Sequence, residues 1–226
     1  MHNIKQTRPR ADTARIRRSG KIIISAVTIT LIALISGFVL WPATPLDLAD
    51  DHQMQRSGIY QHWKAGEVIA LVRHAERCDR SANPCLGPAD GITRLGSATA
   101  TDLGKAYRTI GMDRTDVISS PMTRTLQTAQ AMFNQAASTQ DWLLNCADNF
   151  ENDIKAHKLQ GRNLILVTHS GCISDLESRL GFAHALATEY TSSLFLTLGT
   201  DGKLQILGIL NAKSWPQVLK EAPNNL

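Results

Sequence analysis

The sequence predicts an α/β fold on a largely parallel sheet. Three short apolar runs, EVIALV (67–72), TDVISS (115–120) and NLILVTH (163–169), end in polar residues and lead into helical patterns. Continuous apolar runs of this length suit strands buried on both faces. Two later runs, SSLFLTL and KLQILGIL, are joined through Gly-Thr-Asp-Gly and read as a terminal hairpin.

In chain order, the first segment is a basic tail. Seven of the 24 cations and one of the 20 anions lie within residues 1–21, leaving 17 cations against 19 anions in the rest. The basic pI therefore belongs to the tail and is no argument for nucleic-acid binding, and four scattered tryptophans offer no stacking platform. Ile22 to Trp41 carries no formal charge. At ~1.5 Å per helical residue it spans roughly 30 Å, the thickness of a hydrocarbon core. The flanking cations belong in the cytoplasm, so residues 22–41 are expected to be a single-pass inner-membrane anchor with the bulk of the chain in the periplasm. A cleaved secretory signal is the alternative, although such a signal's apolar region is usually only ~7–15 residues. Residues 42–66, polar with two prolines, read as a linker with one short helix.

The domain proper is expected over 67–226. CDRSANPCLGPADG after the first strand is loop, and Thr93 can cap a helix to about Ile110 with Leu95, Leu103 and Ala106 on one side. Pro121 can open a helix running to Phe133, and a helix from about Cys172 to Leu180 follows the third strand. The four cysteines, Cys78, Cys85, Cys146 and Cys172, suggest two disulfides in an exported domain. Three pairings are open; one joins Cys78 to Cys85 and Cys146 to Cys172. No Cys-x-x-Cys occurs, which disfavours a zinc site.

Open α/β sheets bind ligands at the carboxyl ends of their strands. The first strand delivers Arg73, His74 and Arg77 there, the second runs into SSPMTRTLQTA with Arg124, and the third delivers Thr168, His169, Ser170 and Gly171. Helix starts and guanidinium forks bind a phosphate dianion. A phosphate site without metal ligands needs a nucleophile, and no Cys-x5-Arg loop supplies a thiolate. His74 remains: neutral imidazole attacks phosphorus, and the resulting phosphohistidine is labile to water. The bland reading, a core histidine at a strand end, would suit His74 or His169 alone but not the whole set. Asp79 and Arg80 read as an ion pair within the loop.

The ordered motifs LVRHAER, SSPMTRTLQTA and LVTHSG resemble the histidine phosphatase superfamily, which includes the cofactor-dependent phosphoglycerate mutases. They span Leu71 to Gly171, and TRLGSATATDLGKAY resembles that family's first helix. The resemblance implies a three-layer α/β/α sandwich on a mainly parallel sheet. It implies His74 as the phosphorylated nucleophile and Arg73, Arg77, Arg124 and His169 as the phosphate pocket, with no cofactor or metal. RHAERCDRSANPC, LLNCAD and THSGC are further similar to the periplasmic Ais-type branch, assigned to lipopolysaccharide core heptose-phosphate phosphatases. The substrate implied is a phosphorylated small molecule or glycolipid. Another phosphoester, a phosphohistidine, or a non-catalytic phosphate-binding role are the alternatives. One departure stands out. Many relatives carry a general-acid glutamate where this chain reads DWLLNCADNFEND. Glu76 is the first substitute, followed by Asp148 and Glu151.

Overall fold

The computed structural model describes residues 26–32, 44–146, 148–182, 185 and 188–223. Contacts divide the chain after Pro42. In the first part residues 26–32 form an exposed helix, α1. The basic tail and most of the expected anchor, Ile22–Trp41, lie outside the described residues. Among the described residues no helix is long and apolar enough to cross a membrane.

The second part runs α2 (Gln53–Arg56), α3 (Ile59–Ala65), β1 (Ile69–Arg73), α4 (Arg94–Thr109), β2 (Thr115–Ser119), α5 (Thr123–Phe133), β3 (Ser138–Thr139), α6 (Trp142–Asn145), α7 (Phe150–His157), β4 (Asn163–Thr168), α8 (Ser170–Arg179), β5 (Ser193–Leu198), β6 (Leu204–Leu210) and α9 (Trp215–Lys220). The strands form one mixed sheet in the order β3-β2-β4-β1-β5-β6. The pairings β1–β4, β2–β4 and β2–β3 are parallel, whereas β1–β5 and β5–β6 are antiparallel.

Strand alternation sorts side chains between two cores. Ala70, Val72, Ile165, Val167 and Phe195 pack on the face covered by α3, α4, α5 and α9, with Trp63, Tyr107, Met132 and Trp215. Ile69, Leu71, Leu164, Leu166, Leu194 and Leu196 pack on the other face with Leu143, Phe150, Ile154 and Leu176. Helices therefore cover both faces. Gly104 lets α4 lie against α5, since a Cβ there would stand 1.9 Å from the Met132 carbonyl oxygen.

The segment expected to be a linker is built into the domain instead. Leu48, Met54, Ile59, Tyr60 and Trp63 are buried. The Tyr60 hydroxyl donates to the Val218 carbonyl (3.0 Å) and Trp63 Nε1 to the Gly111 carbonyl (2.6 Å). These apolar side chains are spread among polar residues too thinly to form a periodic signal, but α2 and α3 collect Met54, Ile59, Tyr60 and Trp63, and Leu48 is held beside β6 by its N–H donating to the Ile209 carbonyl (2.9 Å).

Smaller differences have local causes. Thr93 caps α4 as expected, its Oγ1 accepting from Gly96 N at 2.9 Å. Leu95, expected among the buried positions, is 56% exposed. Helix α5 starts after Pro121 with Met122 as its N-cap, and α8 starts at Ser170 rather than Cys172. The disulfides join Cys78 to Cys85 and Cys146 to Cys172, with Cα–Cα separations of 5.2 and 5.3 Å.

Candidate active site

Register brings the polar strand ends together. Arg73 lies opposite Thr168 and Ser119 opposite Val167. The ladder continues one step past the strands, with His74 N donating to Thr168 O (2.9 Å) and Ser120 N to Val167 O (3.0 Å). His74, Ser120 and His169 therefore emerge side by side at the carboxyl edge of three adjacent parallel strands. His169 is the N-cap of α8, and Arg124 lies in the first turn of α5. Both helix starts add positive potential to this edge.

His74 is 3% exposed, and its Nδ1 lies 2.8 Å from the Ala75 carbonyl oxygen. A carbonyl only accepts, so Nδ1 carries the proton and Nε2 keeps its lone pair. Burial pushes the His74 pKa down to about 3, and the cations Arg124 and Arg73 beside it add to the effect. His169 stands edge-on to it, ring centroids 5.5 Å apart. Arg124 Nη2 lies 3.4 Å from His169 Nδ1, and His169 Nε2 lies 3.0 Å from Ser120 Oγ. A guanidinium only donates, which makes Nδ1 the acceptor and leaves Nε2–H to donate to Ser120. Burial, then Arg124 and Arg77, lower the His169 pKa to about 4. Both imidazoles are neutral at neutral pH.

The two arginines of the site are desolvated. Arg73 and Arg124 both have lowered pKa values, burial being the main cause. The Nε of each is buried without a hydrogen-bond partner among the described residues. Neighbouring desolvated cations repel, and a dianion between them would offset both repulsion and lost hydration.

The loop after β1 departs from expectation. Asp79 pairs with Arg77, not Arg80: Arg77 Nε donates to Asp79 Oδ1 (2.7 Å), and Nη2 contacts Oδ2. Arg77's charge still reaches Arg124 and His169, and Arg80 adds to the field at Arg73 and Arg124. Glu76 is turned away from acid duty. Its carboxylate accepts from Thr93 Oγ1 (2.6 Å), Ser81 Oγ (3.0 Å) and, at both oxygens, Asn83 Nδ2 (3.2 and 3.0 Å). These donors, Thr93 foremost, hold its pKa below the ordinary glutamate value, opposite to what a proton donor needs.

Sequence reasoning missed Ser120, Arg80 and Tyr190. The Arg73 guanidinium carbon lies 4.0 Å from the centroid of the Tyr190 ring, which is itself 5.8 Å from that of His74. Nothing in the polar segment before β5 marks Tyr190. Only the β1–β5 pairing, a long-range fact, brings it there. A cleft of about 480 Å³ opens beside it, lined by Arg73, Leu95, Gly96, Thr99 and Tyr190 among others. A second, of about 320 Å³, is lined by Asn145, His169, Gly171, Asp175 and Arg179 among others. Among the described residues, no group of three or more His, Cys, Asp or Glu could hold a metal ion.

The family described as Histidine phosphatase superfamily (branch 1) matches residues 69–144. An Escherichia coli protein named "Lipopolysaccharide core heptose(II)-phosphate phosphatase" is 33% identical over 160 residues, 70% of this chain and 77% of that relative. A second E. coli protein of the same name is 32% identical over the same length. Among solved structures, the protein histidine phosphatase SixA complexed with tungstate superposes with a TM-score of 0.53 at 15% identity. That match covers 65% of this chain and 97% of the other, and it shows the fold alone.

Proposed function

The chain belongs to the histidine phosphatase superfamily, and from that membership we propose that it hydrolyses a phosphate monoester through a phosphohistidine on His74. The protein is a phosphatase; the residue roles and the substrate are the proposal. One observation carries it: His74 is buried, neutral, and bonded through Nδ1 to the Ala75 carbonyl, which keeps the Nε2 lone pair for phosphorus. Arg73 and Arg124 hold the equatorial oxygens as charge redistributes in transfer, and His169, whose Nδ1 accepts from Arg124, orients that guanidinium. Arg77 and Arg80 contribute field more than contact, since Asp79 occupies Arg77's fork.

The proposed substrate is a heptose phosphate of the lipopolysaccharide core, supported by the name shared by the E. coli relatives. A periplasmic domain on an inner-membrane anchor suits that substrate. The basic tail, the uncharged run 22–41 and the two disulfides support this placement. The test has two parts. His74→Ala abolishes turnover, and acid-labile phosphate is trapped on the wild type but not on the variant; substantial activity in the variant overturns the mechanism. Mass analysis of lipid A–core from cells with and without the protein shows one phosphate gained when it is missing; identical spectra remove this substrate.

A further inference from the structure

The first chemical step leaves a need that the groups named so far do not meet. A sugar alkoxide is a poor leaving group and requires a proton as the P–O bond breaks. The carboxylates around the pocket are otherwise engaged: Glu76 by Ser81, Asn83 and Thr93, Asp79 by Arg77, Asp90 by Thr123 (2.6 Å), Asp175 by Arg179 (2.9 Å) and Glu189 by Lys213 (2.8 Å). Asp148, fully exposed, lies beside Arg179 (3.5 Å).

The turn before β5 presents a different group. Thr191 is buried with φ of 60°, a left-handed conformation that β-branched residues rarely adopt and that marks functional turns. Arg73 holds the turn on several sides. Thr191 N donates to Arg73 O (3.1 Å), Arg73 N to Ser192 O (3.0 Å), and Arg73 Nη1 contacts the Thr188 carbonyl. The consequence is that Tyr190 lies over the Arg73 guanidinium, near His74, at the edge of the larger cleft.

Resting on the phosphatase reading above, we propose that Tyr190 is the proton donor to the leaving oxygen. His74 Nε2 forms its bond to phosphorus, the P–O bond breaks with its electron pair going to the leaving oxygen, and the Tyr190 hydroxyl proton passes to that oxygen. Arg73, whose guanidinium carbon lies 4.0 Å from the Tyr190 ring centroid, is the cation beside the oxygen that gives up this proton. In the second step water attacks phosphorus, its proton returns to Tyr190, and the P–N electron pair returns to Nε2. Enzyme and phosphate are both restored.

The test is Tyr190→Phe, which keeps the ring over Arg73, assayed with glycerol phosphate and with para-nitrophenyl phosphate. The aryl ester leaves without a proton, and kcat/KM reports only the first transfer. For the variant, kcat/KM falls at least ~100-fold on the alkyl ester and less than about fivefold on the aryl ester. Retained aryl activity also shows that the variant is folded. Equal losses on both esters would make Tyr190 a positioning residue for Arg73, and unchanged kinetics on both would leave it no role; either result overturns the proposal. Wild-type turnover of the aryl ester, lost in His74→Ala, checks the phosphatase reading separately.

Discussion

Glu177, on α8, is 1% exposed, and neither carboxylate oxygen has a hydrogen-bond partner among the described residues. Burial alone pushes its pKa from 4.5 up to about 7. A raised carboxyl pKa means that the folded chain keeps a proton which the unfolded chain releases near pH 4.5. Stability from this group is therefore present below pH 4.5 and is lost as pH rises to about 7, with a constant penalty above. The gap corresponds to on the order of 3 kcal/mol, which water penetrating around the helix end reduces to on the order of 1–2 kcal/mol. Glu177→Gln removes the titration while keeping the shape. Urea unfolding of the full chain, wild type against variant, measures it at several pH values. The variant gains on the wild type by about 1–2 kcal/mol between about pH 4.5 and about pH 8, and the gain levels off above pH 7. His74 and His169, whose lowered values make stability rise with pH up to the ordinary histidine value of 6.5, are common to both proteins and cancel. A stability difference independent of pH would refute the reasoning, whatever its absolute size.

The same two histidines govern activity in acid. With His74 at about 3 and His169 at about 4 in the free protein, kcat/KM expressed against the substrate dianion holds down to about pH 5 and declines below. A decline centred near 6.5 would mean that the nucleophile is not buried as described. Arg124→Lys loses the planar fork that serves both the phosphate and His169 Nδ1, so kcat/KM falls ~100-fold and vanadate inhibition weakens with it. Unchanged kinetics would reduce Arg124 to a structural role.

Much of the site was legible because its parts are local. Apolar runs ending in Arg73-His74, Ser119-Ser120 and Thr168-His169 state both the strand and what the strand delivers, and parallel pairing places such ends on one edge. Thr93 as a cap is legible for the same reason: an N-cap is decided within four residues. Pairing, burial and charge partners are not local. Nothing in RHAERCDRS distinguishes Asp79 bonded to Arg77 from Asp79 bonded to Arg80. Glu76 passed as an acid on proximity to His74, and only the approach of α4, made possible by Gly96 (a Cβ there would stand 2.9 Å from Glu76 N), brings Thr93 onto its carboxylate. The cysteine pairing was one of three until the fold set Cα atoms within bonding reach. By itself, then, the sequence determined the order of β1, β2, β4, β5 and β6 with α4, α5 and α8, the edge where the polar strand ends gather and the cations that collect there, since periodicity and capping act over a few residues. The tertiary structure decided that residues 44–66 complete the core, that Glu76 stays ionised, and that Tyr190 stands over Arg73, far away in sequence, because those outcomes depend on which surfaces exclude water from each other.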